Sequence, residues 1–121
     1  MKKTIESNAV TSATRLRILF LCGRNRRRSP TAEIIFRGCA GIEVDSAGVR
    51  PDADVLVTAD HIDWADLIIL MENRYRRPLK SLMGGLLKTK RIVSLDIADD
   101  YELMDPALVE LVRQRMLSHL P

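Results

Sequence analysis

Cysteine, histidine, aromatic rings and long apolar runs are all scarce in this 121-residue chain, and each shortage removes a class of protein. Two cysteines, Cys22 and Cys39, cannot build the disulfide framework of a small secreted domain or a four-cysteine zinc site. Two histidines, His61 and His119, stand far apart, so neither a metal site nor a cofactor is expected. No run approaches the roughly 20 apolar residues of a membrane span. Met1 to Arg15 lack the apolar stretch of about 7–15 residues that a secretory leader needs. Residues 1–15 therefore read as a flexible N-terminal extension and residues 16–121 as one domain, soluble and cytoplasmic, with no membrane partner. Aromatics make up 4% of the chain against 46% hydrophobic residues, so the core must be largely aliphatic, as suits a small α/β domain.

Charge is present but unevenly placed. The net charge is +3, yet Arg24, Arg26, Arg27 and Arg28 fall within five positions. Such a concentration points to an anionic partner without naming it. A solvated face and a nucleic-acid patch are the competing readings.

Alternation of elements gives the fold class. Leu16 to Leu21 is a short apolar run suited to a buried strand, and Ile42 to Ala47, Asp66 to Met71 and Arg91 to Leu95 repeat the pattern. Helical signals lie between them. Ser29-Pro30 reads as N-cap and first turn of a helix running to Cys39, with Cys39 on its apolar side. Thr58 caps a short helix ending at Trp64, whose His61 is read as surface. A stretch from Asn73 is broken or restarted by Pro78 and ended by Gly84-Gly85. Asp105-Pro106 caps a last helix with Leu108, Leu111, Val112 and Leu120 on one face. Strands alternating with helices argue for a four-stranded parallel sheet flanked by helices on both faces. Ligands of such sheets bind beyond the carboxyl ends of the strands, where Cys22 to Arg28 and Asp96 to Asp100 both fall.

The segment from Cys22 to Ser29 reads C-G-R-N-R-R-R-S, between a strand and a helix. Backbone N–H groups at a helix start are unpaired, and the helix dipole favours negative charge there. A tetrahedral phosphate fits such a nest. Helix N-termini and neighbouring arginines also favour the thiolate, the nucleophilic form of cysteine. Arg28, six residues on, has a planar fork that can hold two phosphate oxygens. Ser29 is placed to hydrogen-bond the sulfur. Cysteine, five residues, arginine and serine is the signature of cysteine-dependent phosphatases.

L-F-L-C-G-R-N-R-R-R-S-P-T-A-E resembles the first strand, phosphate loop and first helix of low-molecular-weight protein tyrosine phosphatases. S-A-G at Ser46 to Gly48, V-T-A-D-H-I-D-W-A-D-L-I-I-L-M-E at Val57 to Glu72, and D-I-A-D-D-Y at Asp96 to Tyr101 extend the resemblance to nearly all of residues 16–117. The resemblance implies a metal-free hydrolase of phosphate monoesters, acting on a phosphorylated protein or a small phosphoester through a phosphocysteine. It implies Cys22 as nucleophile, Arg28 and Ser29 as its catalytic partners, and Asp99 as the acid. Asp99 stands two residues before Tyr101, the family's spacing; Asp96, Asp100 and Asp105 are the other candidates. Gly23, Arg24, Asn25, Arg26 and Arg27 line the substrate. Asn25 also braces the loop, Ser46 supports it from behind, and Tyr101 either walls the pocket or anchors its own loop.

The sequence departs from the family at four points. Arg27 stands where a second loop cysteine is usual. The stretch after Gly48 is short, and the aromatic pocket residue expected there is missing. Asp100 replaces the proline after the acid. Arsenate reduction on the same fold needs resolving cysteines that this chain lacks after Cys39, so it would depend on external thiols. A non-catalytic anion or nucleic-acid binder is the alternative from another class.

Overall fold

The computed structural model describes residues 15–121. The extension expected over residues 1–15 thus lies, apart from Arg15, outside the described residues.

Four strands form one parallel sheet: β1 (Leu16–Cys22), β2 (Ile42–Gly48), β3 (Leu67–Leu70) and β4 (Arg91–Ser94), in the order β2-β1-β3-β4. The helices between and after them are α1 (Arg28–Phe36), α2 (Ala59–Trp64), α3 (Arg76–Met83) and α4 (Pro106–Met116). Parallel neighbours need crossovers, and crossovers of this kind are right-handed. The chain steps from β1 to β2 in one direction, then across to β3 and β4 in the other. That reversal puts α1 on one face and α2 and α3 on the opposite face. Helix α4 packs beside α1. The reversal also opens a crevice between the carboxyl ends of β1 and β3, where ligands of such sheets bind.

Strand β1 is buried on both faces, from Ile18 through Cys22. All four residues of β3 are buried as well. Two helix-covered faces explain why these strands are continuous apolar runs rather than alternating ones. Aliphatic side chains dominate the core, each contributing about 1.5–3 kcal/mol on full burial. The one aromatic stack, Phe20 on Phe36 at 6.0 Å between ring centroids, ties β1 to α1.

Several local expectations need correction. Helix α1 begins at Arg28, not after Ser29, and its N-cap is Arg27 without any side-chain cap bond. It ends at Phe36, because Gly38 takes a φ of 84° that stops the helix. Cys39 therefore sits in the following turn and is exposed rather than in the core. His61 is not a plain surface residue. Its ring takes the backbone N–H of Thr58 at 2.9 Å while Thr58 Oγ1 accepts from the His61 N–H, a reciprocal cap that leaves the imidazole 16% exposed. Of the two outcomes expected at Pro78, the structure shows the restart. The chain makes a 3₁₀ turn over Asn73–Tyr75 and restarts at Arg76, so Pro78 falls in the first turn, where its missing N–H costs nothing. In α4, Asp105 caps as expected, by accepting from Ala107 N. Its buried face is Leu108, Val112 and Met116, with Leu111 and Leu120 only partly covered.

Candidate active site

The loop after β1 closes on itself around Cys22. Asn25 adopts φ 57°, a left-handed conformation that asparagine tolerates better than most residues. This turn brings the Asn25 N–H to 3.2 Å from Cys22 Sγ. The carbonyls of the loop point the other way. Cys22 O accepts from Val49 N at 3.0 Å, Gly23 O from Arg50 N at 2.9 Å and Arg24 O from Asp54 N at 3.0 Å. The segment after β2 thus takes up three of the loop's acceptors, while the Asn25 N–H turns to the sulfur. Close approach is possible because residue 48 is glycine: a Cβ there would lie 2.5 Å from Gly23 O and 2.7 Å from the Ala53 Cβ. The short stretch after Gly48 is therefore the floor of the loop.

A chain of polar side chains runs from Glu33 to the sulfur. Ser46 donates to Glu33 Oε1 at 2.6 Å. Its oxygen is then free to accept from Asn25 Nδ2 at 3.0 Å. Asn25 Nδ2 also donates to Ser29 Oγ at 3.1 Å. Ser29 Oγ lies 2.9 Å from Cys22 Sγ, and its hydroxyl can donate to the sulfur when that is a thiolate; it also reaches Ala47 O at 3.4 Å. The carboxylate of Glu33 anchors the far end of this relay. Ser29 is fully buried inside the first turn of α1, which explains why it does not act as the cap.

Arg28 is 2% exposed and held from the far side of the sheet. Its Nη1 donates to Glu72 Oε1 at 2.5 Å and to Ile97 O at 2.7 Å; Nη2 donates to the Tyr75 hydroxyl at 2.6 Å. These bonds consume three of the five guanidinium N–H groups. The two left are Nε–H, which faces Asp99 Oδ1 at 3.6 Å, and one N–H of Nη2; both remain available to an anion. Burial works against charge on Arg28, but the Glu72 bond and the Tyr75 hydroxyl more than offset it and raise its pKa above the ordinary arginine value. Burial likewise opposes ionisation of Glu72, and the bonds from Arg28 and Arg74 outweigh it and hold its carboxyl below 4.5.

Cys22, Gly23, Arg28 and Asp99 line one cavity of about 280 Å³ with Arg24, Arg26 and Arg27. Asp99 Oδ1 lies 3.6 Å from Arg28 Nε, and its side chain is half exposed. The other acidic candidates are elsewhere. Asp96 accepts from Ser94 Oγ on the outer edge, Asp100 is exposed and does not line the cavity, and Asp105 is a cap. Asn25 is buried behind the loop and braces it. Tyr101 is half-buried against the core and is not part of the lining; the tyrosine of the cavity is Tyr75. Arg50, Arg74 and Tyr75 complete the lining and went unread in the sequence. Among the described residues no cluster of side chains is suited to a metal ion, and no helix is long and apolar enough to cross a membrane.

No family model matches the chain, and no curated protein does. Solved structures do. YfkJ from Bacillus subtilis superposes with a TM-score of 0.62 at 26% identity, covering 87% of this chain and 94% of that one. Wzb from Vibrio vulnificus, solved with benzylphosphonate, gives 0.69 at 20% identity, covering 86% and 96%. The low molecular weight protein tyrosine phosphatase from T. tengcongensis gives 0.64 at 22% identity, covering 83% and 92%. The chain has the fold of the low molecular weight protein tyrosine phosphatases over most of its length.

Proposed function

We propose that the protein is a cysteine-dependent phosphate monoester hydrolase that works through a phosphocysteine. The observation that carries this reading is the sulfur of Cys22. It receives a backbone N–H and a buried hydroxyl, sits at the N-terminus of α1, and opens onto a cavity shared with Arg28 and Asp99. Those two donors and the helix dipole stabilise charge on sulfur in the form that attacks.

Cys22 Sγ attacks phosphorus, forming the S–P bond as the P–O bond to the leaving group breaks. N–H groups of the loop from Gly23 to Ser29 and the remaining N–H groups of Arg28 hold the equatorial oxygens as charge spreads over them. Asp99 gives its proton to the departing oxygen. Water then attacks phosphorus, passing a proton to Asp99, and the S–P bond breaks. Ser29 donates to the sulfur as it leaves. Asp99 is preferred as the acid because it alone of the loop aspartates lines the cavity. Phosphotyrosine is the substrate class that the family resemblance implies.

A nucleic-acid role for the arginine cluster has less behind it. Arg24 pairs with Asp52, Arg26 with Asp54 and Arg27 with Glu102, so acidic side chains are interleaved with the cluster. The test is turnover of para-nitrophenyl phosphate by wild type and by Cys22→Ser. Wild-type turnover lost in Cys22→Ser, with phosphate or vanadate still bound by the folded variant in calorimetry, is the expected result. Turnover that survives the substitution sinks the reading.

A further inference from the structure

Arg28 and the loop N–H groups are enough for one phosphate dianion, yet five more guanidinium groups line the same cavity. They come from three segments: Arg24, Arg26 and Arg27 from the loop itself, Arg50 from the segment after β2, and Arg74 from the turn after β3. Their carboxylate partners Asp52, Asp54 and Glu102 are not in the lining. Partners are also fewer than cations. Asp52 serves both Arg24 and Arg50, each at 3.2 Å, and Glu72 serves both Arg28 and Arg74. Exposed pairs of this kind are weak and exchange readily for a better anion.

Arg50 and Arg74 are the best placed of the five. Gly23 has no side chain, and a Cβ there would lie 3.1 Å from Arg50 Cδ and 3.2 Å from the Tyr75 hydroxyl. Arg74 Nη2 donates to that same hydroxyl at 3.2 Å. Arg50, Tyr75 and Arg74 therefore make a row directly beside the residue next to the nucleophile. Tyr75 is the one ring in the lining. It is 6% exposed, its hydroxyl is bound to Arg28, and guanidinium groups of Arg28 and Arg74 sit 5.6 and 5.0 Å from its centroid. Little of that ring is left for a substrate ring to stack on.

The geometry points to a substrate that carries a second anionic group, phosphate or carboxylate, close to the scissile phosphate, with Arg50 and Arg74 as the residues that select it. This rests on the hydrolase reading above and specifies its substrate class. The recognised chemistry is a doubly anionic phosphoester rather than a bare aromatic one.

Binding of stable phosphonates decides it, measured by calorimetry on Cys22→Ser and as competition against para-nitrophenyl phosphate turnover by wild type. The probes are benzylphosphonate, methylphosphonate, phosphonoacetate and methylenediphosphonate. A doubly anionic probe should bind about 10–100-fold tighter than benzylphosphonate, the range expected for one or two charge-assisted hydrogen bonds. In Arg50→Gln/Arg74→Gln that ratio should fall toward one, and each single variant should lower it part of the way. A gain confined to methylenediphosphonate assigns the second group as phosphate; a gain shared by phosphonoacetate extends it to carboxylate. Equal or tighter binding of benzylphosphonate overturns the inference, as does a preference that persists in the folded double variant. Turnover that does not depend on Cys22 would instead remove the hydrolase reading, and the affinity ratios would still decide this one.

Discussion

Two loops meet at the cavity, and they are built differently. The loop from Cys22 to Ser29 is braced on every side: Asn25, Arg28 and Ser29 are buried, and three of its carbonyls are bound by the segment below. The loop from Asp96 to Met104 is mostly exposed. Its anchors are few: the buried Ile97, whose carbonyl takes Arg28, the Met104 N–H on Thr31 Oγ1, and Arg115 on the carbonyls of Leu95 and Asp96. Preorganisation is thus spent where charge must be held throughout the reaction. The proton donor rides on the lighter element, where it is needed only as the leaving group departs. Substitutions in the first loop should affect every substrate. Those in the second should affect substrates according to their leaving groups.

The sharpest way to break that contrast is at Arg28. Arg28→Lys loses the planar fork and leaves Glu72, Ile97 O and Tyr75 without their shared donor. Both oxyanion affinity and turnover should collapse for activated and poor leaving groups alike. Steady-state kinetics on an alkyl and a nitrophenyl phosphate, with phosphate calorimetry, checks this; a loss confined to one substrate contradicts it. Next in size is Asp99→Asn. We expect turnover of poor leaving groups to fall by about 10²–10⁴, the general-acid range, and nitrophenyl phosphate to suffer much less. Asp100→Asn, on an exposed side chain outside the cavity, should be close to wild type. A larger loss at Asp100 or Asp96 would move the acid to that residue.

The smallest expected effect is on stability. Glu72 is ionised, half-buried and paired with the buried Arg28, so Glu72→Gln should cost about 1–3 kcal/mol at neutral pH, the scale of a charged hydrogen bond lost from a buried partner. The folded-state pKa of Glu72 is depressed below its ordinary 4.5. Its contribution is therefore complete above that value and is lost as pH falls through the lower folded value. Urea unfolding of both proteins at neutral pH and in acid should show the gap closing in acid. A gap that widens in acid would mean that Glu72 does not hold Arg28 as a carboxylate.

The strand-loop-helix unit that carries Cys22, Arg28 and Ser29 was legible because its residues are consecutive and its signal is spacing. The parallel sheet was legible from apolar runs separated by helical stretches. What escaped notice was long-range. Glu72 and Tyr75 reach Arg28 from 44 and 47 residues away, and nothing local marks them except their place just beyond a buried strand on the crevice side. Tyr101 was named and Tyr75 was not for the same reason: resemblance pointed to the second loop, while the sheet order places Tyr75 in the cavity. Cys39 was misplaced because helical spacing was followed past Phe36, although Gly38 had room to end it. Ser29 was taken for a cap because serine before proline so often is one; the relay from Glu33 gives its hydroxyl a different partner.

The turn that holds Cys39 has a consequence for oxidation. Cys39 lies just before β2, at the end of the sheet where Ile42 pairs with Leu16. Cys22 is six residues further along β1, roughly 20 Å away at about 3.3 Å per residue. A sulfenic acid formed on Cys22 by peroxide would find no second thiol of the described chain within bonding reach. Recovery would then fall to a soluble thiol diffusing into the cavity, and without one the sulfur would proceed to the sulfinic acid and stay there.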